Sequence, residues 1–213
     1  MTSAVITVDG PAGSGKSTVS RAVAERLGWR HLDTGAYYRA ATVAAIEAGA
    51  DVSDEEAVIS ALTGRDFDQV GGAMLLDGRD ISVDIRSEGV TGAVSAVAAH
   101  PRVRRLMVEL QREWTGQRTG AVVEGRDIGT VVFPDAEVKV FLTADPAERA
   151  RRRAVETGHA AEAVATAIER RDLLDSTRQA SPLRPADDAI VIDTTDLGID
   201  QVVELIIEAV SAL

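Results

Sequence analysis

The stretch GPAGSGKS, Gly10 to Ser17, sets glycines, a lysine and a hydroxyl at the spacing G-x-x-x-x-G-K-[ST]. Each residue type answers a need of phosphate chemistry. Gly10, Gly13 and Gly15 let the backbone close into a nest of N–H groups where a Cβ would clash. A helix starting just afterwards aims partial positive charge at the same point. Lys16 adds a mobile full charge for the β- and γ-phosphates, and the Ser17 hydroxyl suits Mg2+. The run Gly10-Pro11-Ala12-Gly13-Ser14-Gly15-Lys16-Ser17-Thr18 is therefore the expected ATP-binding segment, with Ser17 as its metal residue. A chance glycine-rich turn would lack the flanking context. Here AVITV (4–8) reads as a buried strand before the loop, and STVSRAVAERL (17–27) as a helix after it, ending at Gly28.

Such a loop serves GTPases, motor ATPases and small-molecule kinases alike. The chain contains no asparagine, which removes an N-K-x-D guanine reader and argues against a GTPase. Four patches set arginine beside small polar or acidic residues: DTGAYYR (33–39), SAVAAHPRVRR (95–105), VVEGRDIGTVVFPDA (122–136) and ERRDLLDSTR (169–178). In the last, Arg171, Asp175 and Arg178 fall on one helical face, at a spacing that ordinarily carries an apolar stripe. Taken alone it reads as a solvated, ion-paired face. Three of the four patches, however, lie after a strand or at a helix end, where ligands collect in an open α/β sheet. Arginine's planar fork suits bidentate phosphate contacts.

Bulk properties narrow the choice. The 213 residues amount to one domain with room for a sub-domain, and 45% apolar content supplies a core. A net charge of −11 argues against general affinity for nucleic acid or anionic membrane, so anion binding must be local. Two Trp, two Tyr and three Phe make no stacking platform for single strands. The absence of cysteine excludes disulfides and thiolate metal sites. No run approaches a membrane span and no charged-then-apolar leader opens the chain; a cytoplasmic location is expected. His31, His100 and His159 are scattered and read as packing or surface residues.

The elements that must position these groups follow from pattern. DTGAYYRAATVAAIEAG (33–49) reads as a loop entering a second helix, and Ser53 with Glu56 as the capping box of a third. Residues 65–84 alternate, with Asp77-Gly78 as a hairpin turn, and read as a small antiparallel insertion. Helices resume near Ser87, one ending at His100 before Pro101 and another reaching about Trp114. AVVEG (121–125), EVKVFLTA (137–144) and AIVID (189–193) read as strands, Asp145-Pro146 as a helix start, Gly158 as an interruption, and GIDQVVELIIEAV as a closing helix. Short apolar strands alternating with helices indicate an α/β fold with a parallel sheet covered on both faces.

DGPAGSGKST, LDTGAYYR, HPRVR, EGRDIGTVVFPDA and RRDLLDSTR, in this order and spacing over essentially the whole chain, resemble bacterial cytidylate (CMP/dCMP) kinases of the P-loop nucleoside monophosphate kinase family. The 65–84 insertion resembles the extra antiparallel piece of the bacterial long form. The resemblance implies a three-layer P-loop NTPase fold with a five-stranded parallel sheet. It also implies a single domain over 1–213: a core of about 1–35, 115–150 and 185–213, a monophosphate-binding part of about 36–114, and a lid of about 150–165. It implies use of Mg2+ with ATP and phosphorylation of CMP or dCMP; a monomer with no nucleic-acid or membrane partner is the accompanying expectation.

Position by position, the resemblance gives Arg39, Arg126 and Arg178 the acceptor phosphate and, with Lys16, the catalytic charges. It gives Ser95, Arg104 and Asp127 the cytosine, Arg171 and Asp175 the ribose, and Thr34 a place near the acceptor phosphate. Arg149, Arg152 and Arg153 resemble the start of the lid and read equally as a helix surface paired to Glu148 and Glu156. Glu124 and Asp127 both remain open as holders of the metal's water shell. Base chemistry agrees with the cytosine assignment. A carboxylate with an arginine matches the N4 donor and the N3 and O2 acceptors of cytosine. Uracil O4 against Asp127 would set acceptor against acceptor, at a cost of about 1–3 kcal/mol. Related acceptors, UMP or shikimate, and an ATP-binding switch protein are the alternatives that a substrate panel separates.

Overall fold

A computed structural model describes residues 4–117, 119–158, 160–177 and 181–212. Along the chain run β1 (Ala4–Asp9), α1 (Lys16–Leu27), β2 (Arg30–Asp33), α2 (Thr34–Glu47), α3 (Glu55–Leu62), β3 (Phe67–Val70), β4 (Ala73–Leu76) and β5 (Arg79–Asp80). Then come α4 (Glu88–Val97), α5 (Pro101–Gly116), β6 (Gly120–Gly125), β7 (Val138–Thr143), α6 (Pro146–Thr157), α7 (Ala161–Thr177), β8 (Ile190–Asp193) and α8 (Ile199–Ser211). The chain forms two compact units, Met1–His31 with Arg118–Leu213, and Leu32–Gln117; the division falls within β2.

The larger unit is built on a parallel sheet ordered β2-β6-β1-β7-β8. The expected α/β fold with five parallel strands and an antiparallel insertion is the one observed. β1 and β6 are central and almost wholly buried, so they read as continuous apolar runs without alternation. Their register, Ala4↔Gly120 to Asp9↔Gly125, sets Asp9 and Gly125 side by side at the carboxyl end of the sheet. Ile6, Val8, Val122, Val140 and Leu142 meet Val19 and Val23 of α1 and Val202, Val203 and Ile206 of α8 in the core. β2 carries no apolar alternation in RHLD; the sequence pattern assigns its first three residues to no element and its last, Asp33, to the loop before the second helix.

The smaller unit packs α2 to α5 with the meander β3-β4-β5. α2 buries alanines on almost every side, with Tyr37 fully enclosed. The β4–β5 turn places Asp77 and Gly78 at φ 52° and 75°, the two positive φ values of a type I′ hairpin. Gln69 faces inward from β3: its Oε1 accepts from the Asp33 N–H at 2.8 Å, and its carbonyl accepts from Trp114 Nε1 at 3.1 Å. Two boundaries differ from expectation. The cap of α3 is Asp54, whose Oδ1 accepts from Glu56 and Ala57, while Ser53 turns back to Asp51. Either residue can serve as such a cap, and the closer carboxylate prevails. α4 ends at Val97, three residues before His100.

Candidate active site

The glycine-rich loop lies between β1 and α1, and its conformation is enforced by neighbours. At Gly10 (φ +147°) a Cβ would fall 2.1 Å from the Leu142 carbonyl oxygen, and at Gly13 (φ +76°) 2.6 Å from that of Arg149. α1 starts at Lys16 with no side-chain cap on its N-terminus, which leaves its first N–H groups to a ligand. Lys16 is buried, and its Nζ donates to the Pro11 carbonyl at 2.6 Å. Burial pushes its ammonium well below the ordinary lysine value, helped by the charges of Arg126 and Arg171 and opposed by Glu124 and Asp9. An anion here would relieve the crowding of cations.

Glu124, buried near the end of β6, links two elements. Its Oε2 accepts from the Ser17 hydroxyl at 2.7 Å, and its Oε1 lies 3.0 Å from His31 Nε2 on β2. Asp9 ends β1 and accepts from the N–H groups of Ile128 (2.9 Å) and Gly129 (2.8 Å). These open a π-helical turn, Ile128–Val132, closed by Phe133 N–H on the Ile128 carbonyl. Burial, with the nearby Asp127 charge, raises the Asp9 carboxyl to about 6 against the two hydrogen bonds that lower it.

Arg126, between β6 and that turn, donates through Nη1 to the Gly10 carbonyl (2.8 Å) and through Nε to Asp175 Oδ2 (2.9 Å). Arg171 Nε stands 3.9 Å from the same oxygen. The buried stripe of α7 thus begins apolar, with Val164 and Ile168, and ends in a carboxylate. The charged face of ERRDLLDSTR turns inward at Asp175, whereas Leu173 and Leu174 face solvent. Asp127, next in the chain to Arg126, is buried within electrostatic reach of Asp9. Arg178 and His159 lie outside the described residues.

The arginines at the start of α6 divide. Arg149 is buried: it donates to the carbonyls of Ala144 (3.2 Å) and Ala12 (3.0 Å) and pairs with Asp172, which itself accepts from the Ala12 N–H. Arg152 binds Glu148, Thr194 and Thr195, and the Thr194 hydroxyl donates to the Ser14 carbonyl. Arg153 pairs with Glu156 on the surface. Two of the three residues that resembled a lid therefore brace the phosphate loop in this conformation. Sequence reasoning missed Asp9, Asp172 and His31. Asp9 and His31 had a signal, a polar residue at or near the end of a strand beside the loop; Asp172 had none, since it lies off the 171-175-178 face.

The smaller unit holds its own group. Asp33 caps α2 through the Ala36 N–H (3.0 Å) and accepts from Arg39 Nη2 (2.8 Å). Arg39 lies across Gly35, where a Cβ would come 3.0 Å from its Nη1, and its buried Nε has no hydrogen-bond partner. Thr34 is buried at the first turn. Arg104 is buried over the Tyr38 ring, 5.4 Å from the centroid, and donates to the Ala98 carbonyl; Ser95 is half-buried on α4.

A parallel sheet with β1 beside β6, a nest of N–H groups at its carboxyl end and a lysine at the following helix start define a P-loop nucleotide-binding protein. The family model for cytidylate kinase matches residues 6–212, and the chain belongs to that family. A cytidylate kinase of Rhodococcus jostii is 50% identical over 97% of this chain and 94% of its own length. One of Geobacillus kaustophilus is 48% identical over 97% and 96%. A gluconokinase from Sinorhizobium meliloti shares the fold at 16% identity, with a TM-score of 0.51 over 98% of this chain and 92% of its own.

Proposed function

We infer that this protein transfers the γ-phosphoryl of ATP to CMP or dCMP, giving ADP and CDP or dCDP. The observation that carries the inference is the family match over 6–212, laid on a phosphate loop whose lysine is crowded by two arginines. The acceptor is already an anionic oxygen, so no general base is required; catalysis is positioning and charge neutralisation. Lys16 neutralises the transferring phosphoryl. Arg39, Arg126 and Arg178 bind the acceptor phosphate, and the unpartnered Arg39 Nε and the fork of Arg126 suit that ligand. Ser95, Arg104 and Asp127 read the base, Asp175 and Arg171 the ribose, and Thr34 lies at the acceptor phosphate.

Ser17, at the start of α1, and Glu124, near the end of β6, fit Mg2+: both offer ligand oxygens, 2.7 Å apart. Mg2+ takes few protein ligands beside phosphates and water, so no larger cluster is needed, and among the described residues no three His, Asp or Glu gather as one. When bound, the ion supplies charge neutralisation at the phosphates. Ser17 and Glu124 would hold it there, and Asp127 serves the base. No helix among the described residues is long and apolar enough to cross a membrane. In this proposal the protein acts as a cytoplasmic monomer.

An ADP-release assay with CMP, dCMP, UMP and AMP tests the inference. Turnover is expected with the two cytidylates. UMP rates matching CMP would overturn the base assignment, and ATP binding without transfer to any monophosphate would overturn the reaction.

A further inference from the structure

Glu124 uses both oxygens on named partners, and only one of those partners belongs to the phosphate loop. Its Oε2 faces Ser17 Oγ at 2.7 Å; its Oε1 faces His31 Nε2 at 3.0 Å. Both side chains of the outer pair are enclosed, with 12% of His31 and 4% of Glu124 exposed. A carboxylate only accepts, so Nε2 carries the proton in this bond. The pair spans neighbouring strands, β2 and β6, which hold it more rigidly than a loop would.

We propose that His31 is a positioning residue for the metal locus: by anchoring Glu124 Oε1 it fixes the carboxylate plane so that Oε2 meets the Ser17 hydroxyl. A side chain tied at one oxygen cannot rotate its other oxygen away. Without the His31 bond, the carboxylate gains freedom about its terminal torsion, which is broad and soft. Ser17 then loses its acceptor, and the hydroxyl's lone pairs lose the orientation that presents them to the ion. Groups outside a metal's immediate ligands commonly set its affinity in this way. The inference rests on the reading of Ser17 and Glu124 as the Mg2+-holding groups.

Calorimetric titration of ATP with excess Mg2+ and with EDTA tests it on the full chain. Wild type should bind ATP more tightly with Mg2+. In His31→Leu that gain should shrink by about tenfold, while affinity in EDTA stays within about twofold. His31→Gln, whose amide N–H can reach Oε1, should recover most of the gain, and the shorter His31→Asn should not. With CMP varied, kcat should follow the same order and KM for CMP should not move. A merely structural role would lower the unfolding temperature of the variants and leave the Mg2+ gain intact, which would overturn the proposal. Equal loss in Gln and Leu variants would overturn it as well. No Mg2+ gain in wild type would instead remove the metal reading beneath it, a distinct result. Should the Leu variant not fold, the Gln and Asn pair decides: equal behaviour refutes.

Discussion

Asp9 should make the protein gain stability on mild acidification relative to its Asp9→Asn variant. The carboxyl is 4% exposed and its affinity for a proton is raised from the ordinary 3.8 to about 6. Burial disfavours the ionised form more than the Ile128 and Gly129 N–H groups favour it. Between these two values the folded state binds more proton than the unfolded, so stability falls as pH rises through that window and is level above it. The full effect is about 3 kcal/mol, at roughly 1.4 kcal/mol per tenfold change in proton affinity. By pH 4.5 about 2 kcal/mol of it is present. Urea unfolding of both proteins from pH 7.5 to 4.5 isolates this contribution, because every other titrating group is shared. The stability difference, wild type minus variant, should climb by about 2 kcal/mol toward pH 4.5. A flat difference, or one that falls on acidification, would refute the view that desolvation outweighs the two hydrogen bonds.

Gly13→Ala should cost more than about 2 kcal/mol and raise KM for ATP, since the new Cβ meets the Arg149 carbonyl in a left-handed conformation; thermal unfolding and kinetics check it, and an unchanged protein would contradict the geometry. Asp127→Ala should cut the preference for CMP over UMP about ten- to a hundredfold with ATP affinity nearly intact; calorimetry showing ATP binding as the main loss would count against the base-reading role. Arg149→Ala strips the partner from Asp172 in a largely buried pair and should destabilise by about 3–5 kcal/mol, read by denaturant unfolding. Pairing it with Asp172→Ala should return part of that loss, and full additivity would argue that the two residues do not act together.

The phosphate loop, the antiparallel insertion with its Asp77-Gly78 turn and most strands were legible in sequence because each depends on residues adjacent in the chain. The glycines at 10 and 13 are demanded by positive φ as well as by the close Leu142 and Arg149 carbonyls, and the demand shows in residue type. What stayed hidden depends on distant partners. Arg149 and Arg152 look alike in ERARRRAVET, yet one reaches the Ala12 carbonyl and the other the Thr194 backbone. Nothing in their spacing distinguishes such targets from solvent. His31 looked like a stray histidine because its bond to Glu124 spans 93 residues, between two strands made neighbours only by the sheet. The inward turn of Asp175 was ambiguous for the same reason: helical period places it on a face, and only the arginine at 126 says which way that face looks.

An acidic chain of net charge −11 that binds a polyanion must concentrate its cations, and the larger unit does so at a cost. Lys16 is desolvated and repelled by Arg126 and Arg171, while Glu124 and Asp9 return only part of the loss. Arg126 is restrained by Asp175 and the Gly10 carbonyl, and Arg149 by Asp172 and the Ala12 carbonyl. Carboxylates and backbone carbonyls therefore fix the cations in place without fully cancelling them. A triphosphate supplies the missing negative charge beside cations that the fold already holds in place. That is the arrangement in which electrostatic stabilisation needs little reorganisation during reaction. The acidic remainder of the surface works in the same direction: it repels long polyanions such as nucleic acid and leaves a local positive site that a small phosphate ligand can reach.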